Sequence, residues 1–147
     1  MGQTTILLVE DNPDDEALAL RALQNSSVPN EVVVAHDGQE ALDYIFGRGA
    51  FDGRDVSEQP RVVFLDIKLP KLNGLEVLRS IRSDQRTELL PVVCLTSSDE
   101  ERDILEAYRS GANSYINKPV DFKTFVHQVR ILGEYWLDIN RPAISAH

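Results

Sequence analysis

The chain has almost no sulfur chemistry, no long apolar run and no excess of basic charge. Cys94 is its only cysteine, which excludes an intrachain disulfide. Its place inside Val92-Val93-Cys94-Leu95 marks it as a small core residue rather than a redox centre. No apolar stretch approaches the roughly 20 residues that a bilayer-spanning helix needs, so no membrane span is expected. The N-terminus lacks a basic region followed by an apolar signal core, and a cytoplasmic protein is expected. Lysine and arginine number 15 against 24 acidic residues, a formal net charge of −9. A broad nucleic-acid footprint is normally basic, so no nucleic-acid partner is expected. The acidic surface favours cationic or basic partners instead.

What is present is ordinary for a globular protein: 147 residues, 42% of them apolar and 27% charged. That length fits one domain over residues 1–147, with a core from about 4 to 138 and a short tail from 139 to 147. Five apolar runs alternate with helix-like segments. Ile6-Leu7-Leu8-Val9 is the first strand, and Asn12-Pro13 caps and opens a helix running to about Gln24. Asp14, Asp15 and Glu16 suit the positive end of that helix. Val32 to Ala35 is the second strand, and Asp37 caps a helix with Ala41, Leu42, Ile45 and Phe46 on one side. Gly47 to Pro60 reads as a long polar loop with no assignable chemistry. Val62-Val63-Phe64-Leu65 is the third strand, and the third helix starts near Asn73. Val92 to Leu95 is the fourth strand, and Ser98 with Glu101 has capping-box spacing for the fourth helix. A short fifth strand spans about Ser114 to Asn117. Asp121 caps a fifth helix with Phe122, Phe125, Val126, Val129, Leu132 and Trp136 on one face. This alternation predicts an α/β fold: a doubly wound, five-stranded parallel sheet in flavodoxin-like order 2-1-3-4-5, helices on both faces.

The carboxyl ends of the strands carry the chemistry, because ligands bind there in open α/β sheets. Strand one ends in Glu10-Asp11, strand three in Asp66, strand four in Thr96 and strand five in Lys118. Packed carboxylates repel each other and call for a cation. An all-oxygen set fits Mg²⁺ better than zinc, and Mg²⁺ commonly shares phosphate oxygens. A lysine supplies a point charge for a phosphoryl group and a threonine hydroxyl a hydrogen bond. A carboxylate beside the metal is a possible phosphoryl acceptor. Taken singly, each residue reads as a helix-dipole partner, a cap or a turn. Together they suggest phosphoryl transfer onto Asp66.

With LLVEDNPDD, VVFLDIKLPKLNGLEVL, VVCLTSS and GANSYINKP in place, the chain resembles the response-regulator receiver domains of two-component signalling, from about Thr4 to Trp136. The resemblance implies Mg²⁺ held by Glu10, Asp11, Asp66 and the backbone carbonyl of Lys68. It also implies phosphorylation of Asp66 by a histidine kinase, and Thr96 and Lys118 reading the phosphoryl group. Tyr115 stands at the family's aromatic switch, and the Lys118–Pro119 peptide is expected to be cis. Leu69 replaces a frequent methionine. Lys68 and Ser98 occupy positions that tune phosphoryl lifetime, and a lysine beside the site leaves that lifetime open. The loop before strand three and the Gly133-Glu134-Tyr135-Trp136-Leu137 ending are similar to stand-alone receivers, some of which serve bacterial phytochrome-type kinases.

The expected function is therefore a phospho-acceptor switch rather than an enzyme. It would have no output domain and would act on an unknown downstream protein. Two rivals fit less well. An aspartate-nucleophile phosphohydrolase typically wants an acid two residues after the nucleophile, where Lys68 stands. A flavodoxin-like cofactor binder wants a phosphate-cradling first loop, and Glu10-Asp11-Asn12-Pro13-Asp14-Asp15 would repel phosphate. Tyr108, Tyr135 and Trp136 suggest a homodimer through the face of the fourth helix, fifth strand and fifth helix.

Overall fold

The computed structural model describes residues 4–97 and 100–143. Five strands, β1 (Thr5–Val9), β2 (Glu31–Ala35), β3 (Val62–Leu65), β4 (Val92–Thr96) and β5 (Ser114–Asn117), form one parallel sheet in the order β2-β1-β3-β4-β5. The helices between and after them are α1 (Pro13–Gln24), α2 (Gly38–Phe46), α3 (Gly74–Arg82), α4 (Glu101–Arg109) and α5 (Phe122–Glu134). The fold expected from the alternation of apolar runs is the fold observed.

Side-chain alternation along the strands builds two cores, one on each face of the sheet. Leu7, Val9, Val63, Leu65, Val92 and Cys94 point to the face covered by α2, α3 and α4, where Leu42, Ile45, Leu78, Ile81 and Ala107 meet them. Ile6, Leu8, Val62, Phe64, Val93 and Leu95 point to the opposite face, against Ala19, Ala22 and Leu23 of α1 and Phe125 and Val129 of α5. The central strands are buried on both sides, which is why their sequences are continuous apolar runs.

Local chemistry sets most helix starts. Asn12 accepts from the N–H groups of Asp14 and Asp15, Asp37 from Glu40, Asn73 from Glu76 and Asp121 from Thr124. Two expectations are corrected, and the end of α5 adds a feature of its own. The N-cap of α4 is Glu100, without a side-chain cap bond, and Ser98 lies outside the described residues. Phe122 sits in the first turn of α5 and is 55% exposed, because the buried face begins one turn later at Phe125. After Glu134 the helix widens into a π-turn, Tyr135–Ile139, which brings Leu137 into the core while Tyr135 and Ile139 stay outside.

The long segment after α2 is ordered by one side chain. A short 3₁₀ turn, Gly49–Phe51, packs the Phe51 ring edge-on against Tyr44 at 5.2 Å. The Arg54 guanidinium lies over the Tyr44 ring at 4.1 Å and donates to the carbonyls of Tyr44 (2.6 Å), Ile45 (3.1 Å) and Glu58 (2.7 Å). Two of those carbonyls belong to the last turn of α2, where Tyr44 otherwise accepts only a long 3.4 Å bond from the capping Gly47 N–H.

At the other end of α2, Gly38 is pressed against the loop that follows β3: a Cβ there would overlap the Leu72 carbonyl oxygen. Lys71 in the same loop holds a left-handed conformation at φ 65° and pairs with Asp37 at 3.4 Å. Burial competes weakly at Asp37, and the Glu40 N–H together with Lys71 keeps its carboxyl below the usual range. Gly38→Ala should therefore push the loop off α2. We expect a loss of about 1–3 kcal/mol, the usual cost of overpacking, read as a lower urea midpoint at unchanged slope.

Candidate functional site

Each strand end delivers one polar residue by continuing the sheet's hydrogen bonding one step. The Glu10 N–H donates to the Ala35 carbonyl at 2.9 Å, Asp66 to Val9 at 3.1 Å and Lys118 to Thr96 at 2.7 Å. Because Val9 pairs with Leu65 and Leu65 with Cys94, the residues after these strands emerge side by side on one edge. Glu10, Asp66 and Thr96 are buried polar side chains, at 2%, 7% and 0% exposure, whereas Asp11 is exposed.

The Lys118 ammonium binds the cluster together. It donates to Glu10 Oε1 at 2.6 Å, Asp15 Oδ2 at 3.0 Å and Asp66 Oδ2 at 3.1 Å. The second Glu10 oxygen accepts from the Asn12 N–H at 3.1 Å, and Asp66 Oδ1 from the Lys68 N–H at 3.0 Å. The Lys68 side chain is exposed. The Lys118–Pro119 peptide is trans, which corrects the expected cis bond. The bond from the Lys118 N–H to Thr96 continues the β5 ladder and places the side chain without a chain reversal.

The electrostatics are those of a site short of positive charge. Burial pushes the Glu10 carboxyl above the usual range, and the opposing pull of Lys118 does not cancel it. Burial pulls the Lys118 ammonium down, yet Glu10, Asp66 and Asp15 around it outweigh this and hold its pKa above that of an ordinary lysine. The Lys118 ammonium pairs with three carboxylates, and Asp11 adds a fourth to the cluster through its closeness to Glu10 and Asp66. Oxygens of Glu10, Asp11 and Asp66 lie within 4.8 Å of one another. Such a set fits a hard divalent cation, because it offers oxygens alone and leaves positions open for water and phosphate. Beside it the buried Thr96 hydroxyl finds no hydrogen-bond partner among the described residues. A buried hydroxyl without a partner is costly, and its presence suits a ligand atom arriving from the site.

Glu10, Asp11, Asp66, Thr96 and Lys118 thus come to the same edge, as the sequence pattern implied. Tyr115 is half-buried one strand away, in register with Cys94 and packed against the α2–α4 core. Asp15 was read only as a helix-dipole residue. Its contact with Lys118 depends on α1 and the end of β5 meeting across 103 positions. The one local signal was its spacing, a single helical turn after Asp11.

This fold, with its acidic edge, is that of a receiver domain, and the chain belongs to the response regulator receiver domain family, whose pattern matches residues 6–130. Among curated proteins it is similar to the response regulator Rcp1 of Synechocystis, 32% identical over 94% of this chain and 92% of that protein. Solved structures give the same picture. The phosphorylated cyanobacterial phytochrome response regulator RcpA superposes with a TM-score of 0.90 at 37% identity, covering 97% of this chain and all of that one. The Mn²⁺-bound form of Rcp1 superposes at 0.88 and 30% identity, covering 96% and 99% of the two chains. The bacteriophytochrome response regulator AtBRR does so at 0.76 and 42% identity, covering 99% and 100%.

The orphaned hydroxyl makes a stability test possible. Thr96→Val keeps the shape and removes the unsatisfied group. We expect the resting protein to gain about 1 kcal/mol, since leaving a buried polar group unpaired costs about 1–3 kcal/mol. Equilibrium urea unfolding reads the change, and an equal or lower stability would show that the hydroxyl has a partner at rest.

Proposed function

We propose that the chain is the phosphoryl-accepting switch of a two-component system, with Asp66 as acceptor. The observation that carries this reading is the Lys118 ammonium set 3.1 Å from an Asp66 oxygen inside a carboxylate cluster that is short of cations. A carboxylate oxygen of Asp66 attacks the phosphorus of a phosphohistidine on the kinase. The phosphorus–nitrogen bond breaks, its electron pair stays on the imidazole, and an acyl phosphate forms on Asp66. Glu10, Asp11, Asp66 and the Lys68 carbonyl would hold Mg²⁺, which offsets the charge of the carboxylates and of the incoming phosphoryl oxygens. Lys118 pairs with the transferred group and Thr96 donates its spare hydrogen bond to it. The chain turns over no substrate of its own in this reading. The similarity to RcpA and AtBRR supports a histidine kinase of the phytochrome type as donor.

Asp66→Asn tests the acceptor. The amide is nearly isosteric, so the fold should persist, while labelling from a phosphorylated histidine kinase should fall to background. Chelating Mg²⁺ from the wild type should have the same effect. Undiminished labelling of the intact Asp66→Asn variant would overturn the assignment.

The output follows from the same site. Movement of Thr96 toward a phosphoryl group opens space that Tyr115, on the neighbouring strand, can take. That reshapes the face of α4, β5 and α5. Leu105 and Tyr108 of α4 are about half exposed there, and Ile131 and Tyr135 stand out from α5 and the turn after it. Aromatic and aliphatic anchors of this kind support a homodimer through that face, strengthened by phosphorylation, and a further protein partner downstream. Sedimentation with and without beryllofluoride should show a rise in mass on addition. A monomer in both states at micromolar concentration would remove the dimer from the reading.

A further inference from the structure

We infer that Asp15 is a resting-state tether for Lys118, a carboxylate with which an incoming phosphoryl group must compete. This deepens the phospho-acceptor reading and rests on it.

An ammonium has three N–H donors. In the resting structure all three are taken, by Glu10, Asp15 and Asp66. Lys118 can therefore pair with a phosphoryl oxygen only by releasing or sharing a present bond. The three carboxylates do not stand equally. Glu10 and Asp66 belong to the oxygen set that fits a cation, so they have another positive charge to turn to. Asp15 does not belong to that set, and Lys118 is the cation it faces. Its side chain is 32% exposed, against 3% for Glu10 and 9% for Asp66, so water is ready to replace the bond it gives up.

Asp15 is also fixed where it stands. Its own N–H donates to Asn12 Oδ1 at 3.1 Å, and the Asn12 N–H donates to Glu10 Oε2. Pro13 stiffens the first turn between them. The Asp15 carboxylate is thus carried on the rigid start of α1 at the edge of the acidic cluster. At rest it shares in neutralising Lys118 and ties the start of α1 to the chain just after β5. Once a phosphoryl dianion sits on Asp66, the same carboxylate is a like charge beside it and a rival for Lys118. Asp15 is accordingly a positioning residue that favours the resting state over the phosphorylated one.

The test is Asp15→Asn at saturating Mg²⁺. The amide oxygen can still accept from Lys118, so position and fold are kept while the competing charge is removed. Affinity for beryllofluoride, an aspartyl-phosphate mimic, is measured by isothermal titration. We expect the variant to bind at least about fivefold tighter than wild type, the scale of one unit charge about 4 Å away at the dielectric of bulk water. It should also be labelled faster by acetyl phosphate. A residue with a merely structural role would weaken binding on substitution, so the sign separates the two. Equal or weaker binding by the variant, with wild type binding normally, overturns the tether and leaves the acceptor assignment standing. Failure of the wild type itself to bind the mimic at saturating Mg²⁺ overturns both.

Discussion

A buried ammonium among carboxylates holds this site in its resting form. Lys118 sits within 3.1 Å of three acidic oxygens drawn from the ends of β1 and β3 and the start of α1. Without it the carboxylates would repel one another across a few ångströms at low exposure, where water screens poorly. With it they converge but remain under-neutralised. The fold supplies the rest. Parallel strands in the order β2-β1-β3-β4-β5 put β1, β3, β4 and β5 next to one another, so their ends share one edge. The two apolar cores fix the strands in register, and register decides which residue faces the site.

The β3–α3 loop shows how far that dependence reaches. Gly74 has no room for a side chain because its Cα lies against the backbone of Asp66 and Ile67, and its N–H donates to the Ile67 carbonyl at 3.0 Å. Gly38 meets the same loop from α2, and Lys71 is tied to Asp37. Asp66 is thus held from below by a packed sheet and from the side by two helix starts. A carboxylate at the centre of a charged cluster is mounted on backbone with little freedom to move.

Much of this was legible in the sequence, for local reasons. Apolar runs that stop at a charged residue mark strand ends, and Asn12, Asp37, Asn73 and Asp121 mark helix starts, because each cap bond spans only two or three residues. The convergence of Glu10, Asp11, Asp66, Thr96 and Lys118 followed from sheet order alone. What stayed hidden was non-local or a matter of fine geometry. Asp15 meets Lys118 only once α1 has packed beside α5 on the sheet. Arg54 finds carbonyls of α2 that any polar side chain could have capped. The exposure of Phe122 turns on where the buried stripe of α5 begins, which the apolar pattern alone does not mark. The start of α4 at Glu101 carries no side-chain cap bond at Glu100, so no local polar pattern marks it.

The fully buried Cys94 of β4 has one more consequence. Burial, with the nearby Asp66 charge, pushes its thiol up to about 12. Thiolate is the nucleophilic and oxidisable form, and at neutral pH almost none exists here. The one sulfhydryl in the chain is therefore silent toward peroxide, electrophiles and disulfide exchange while the fold is intact. A covalent link between two folded copies of the chain through this sulfur is thereby closed off.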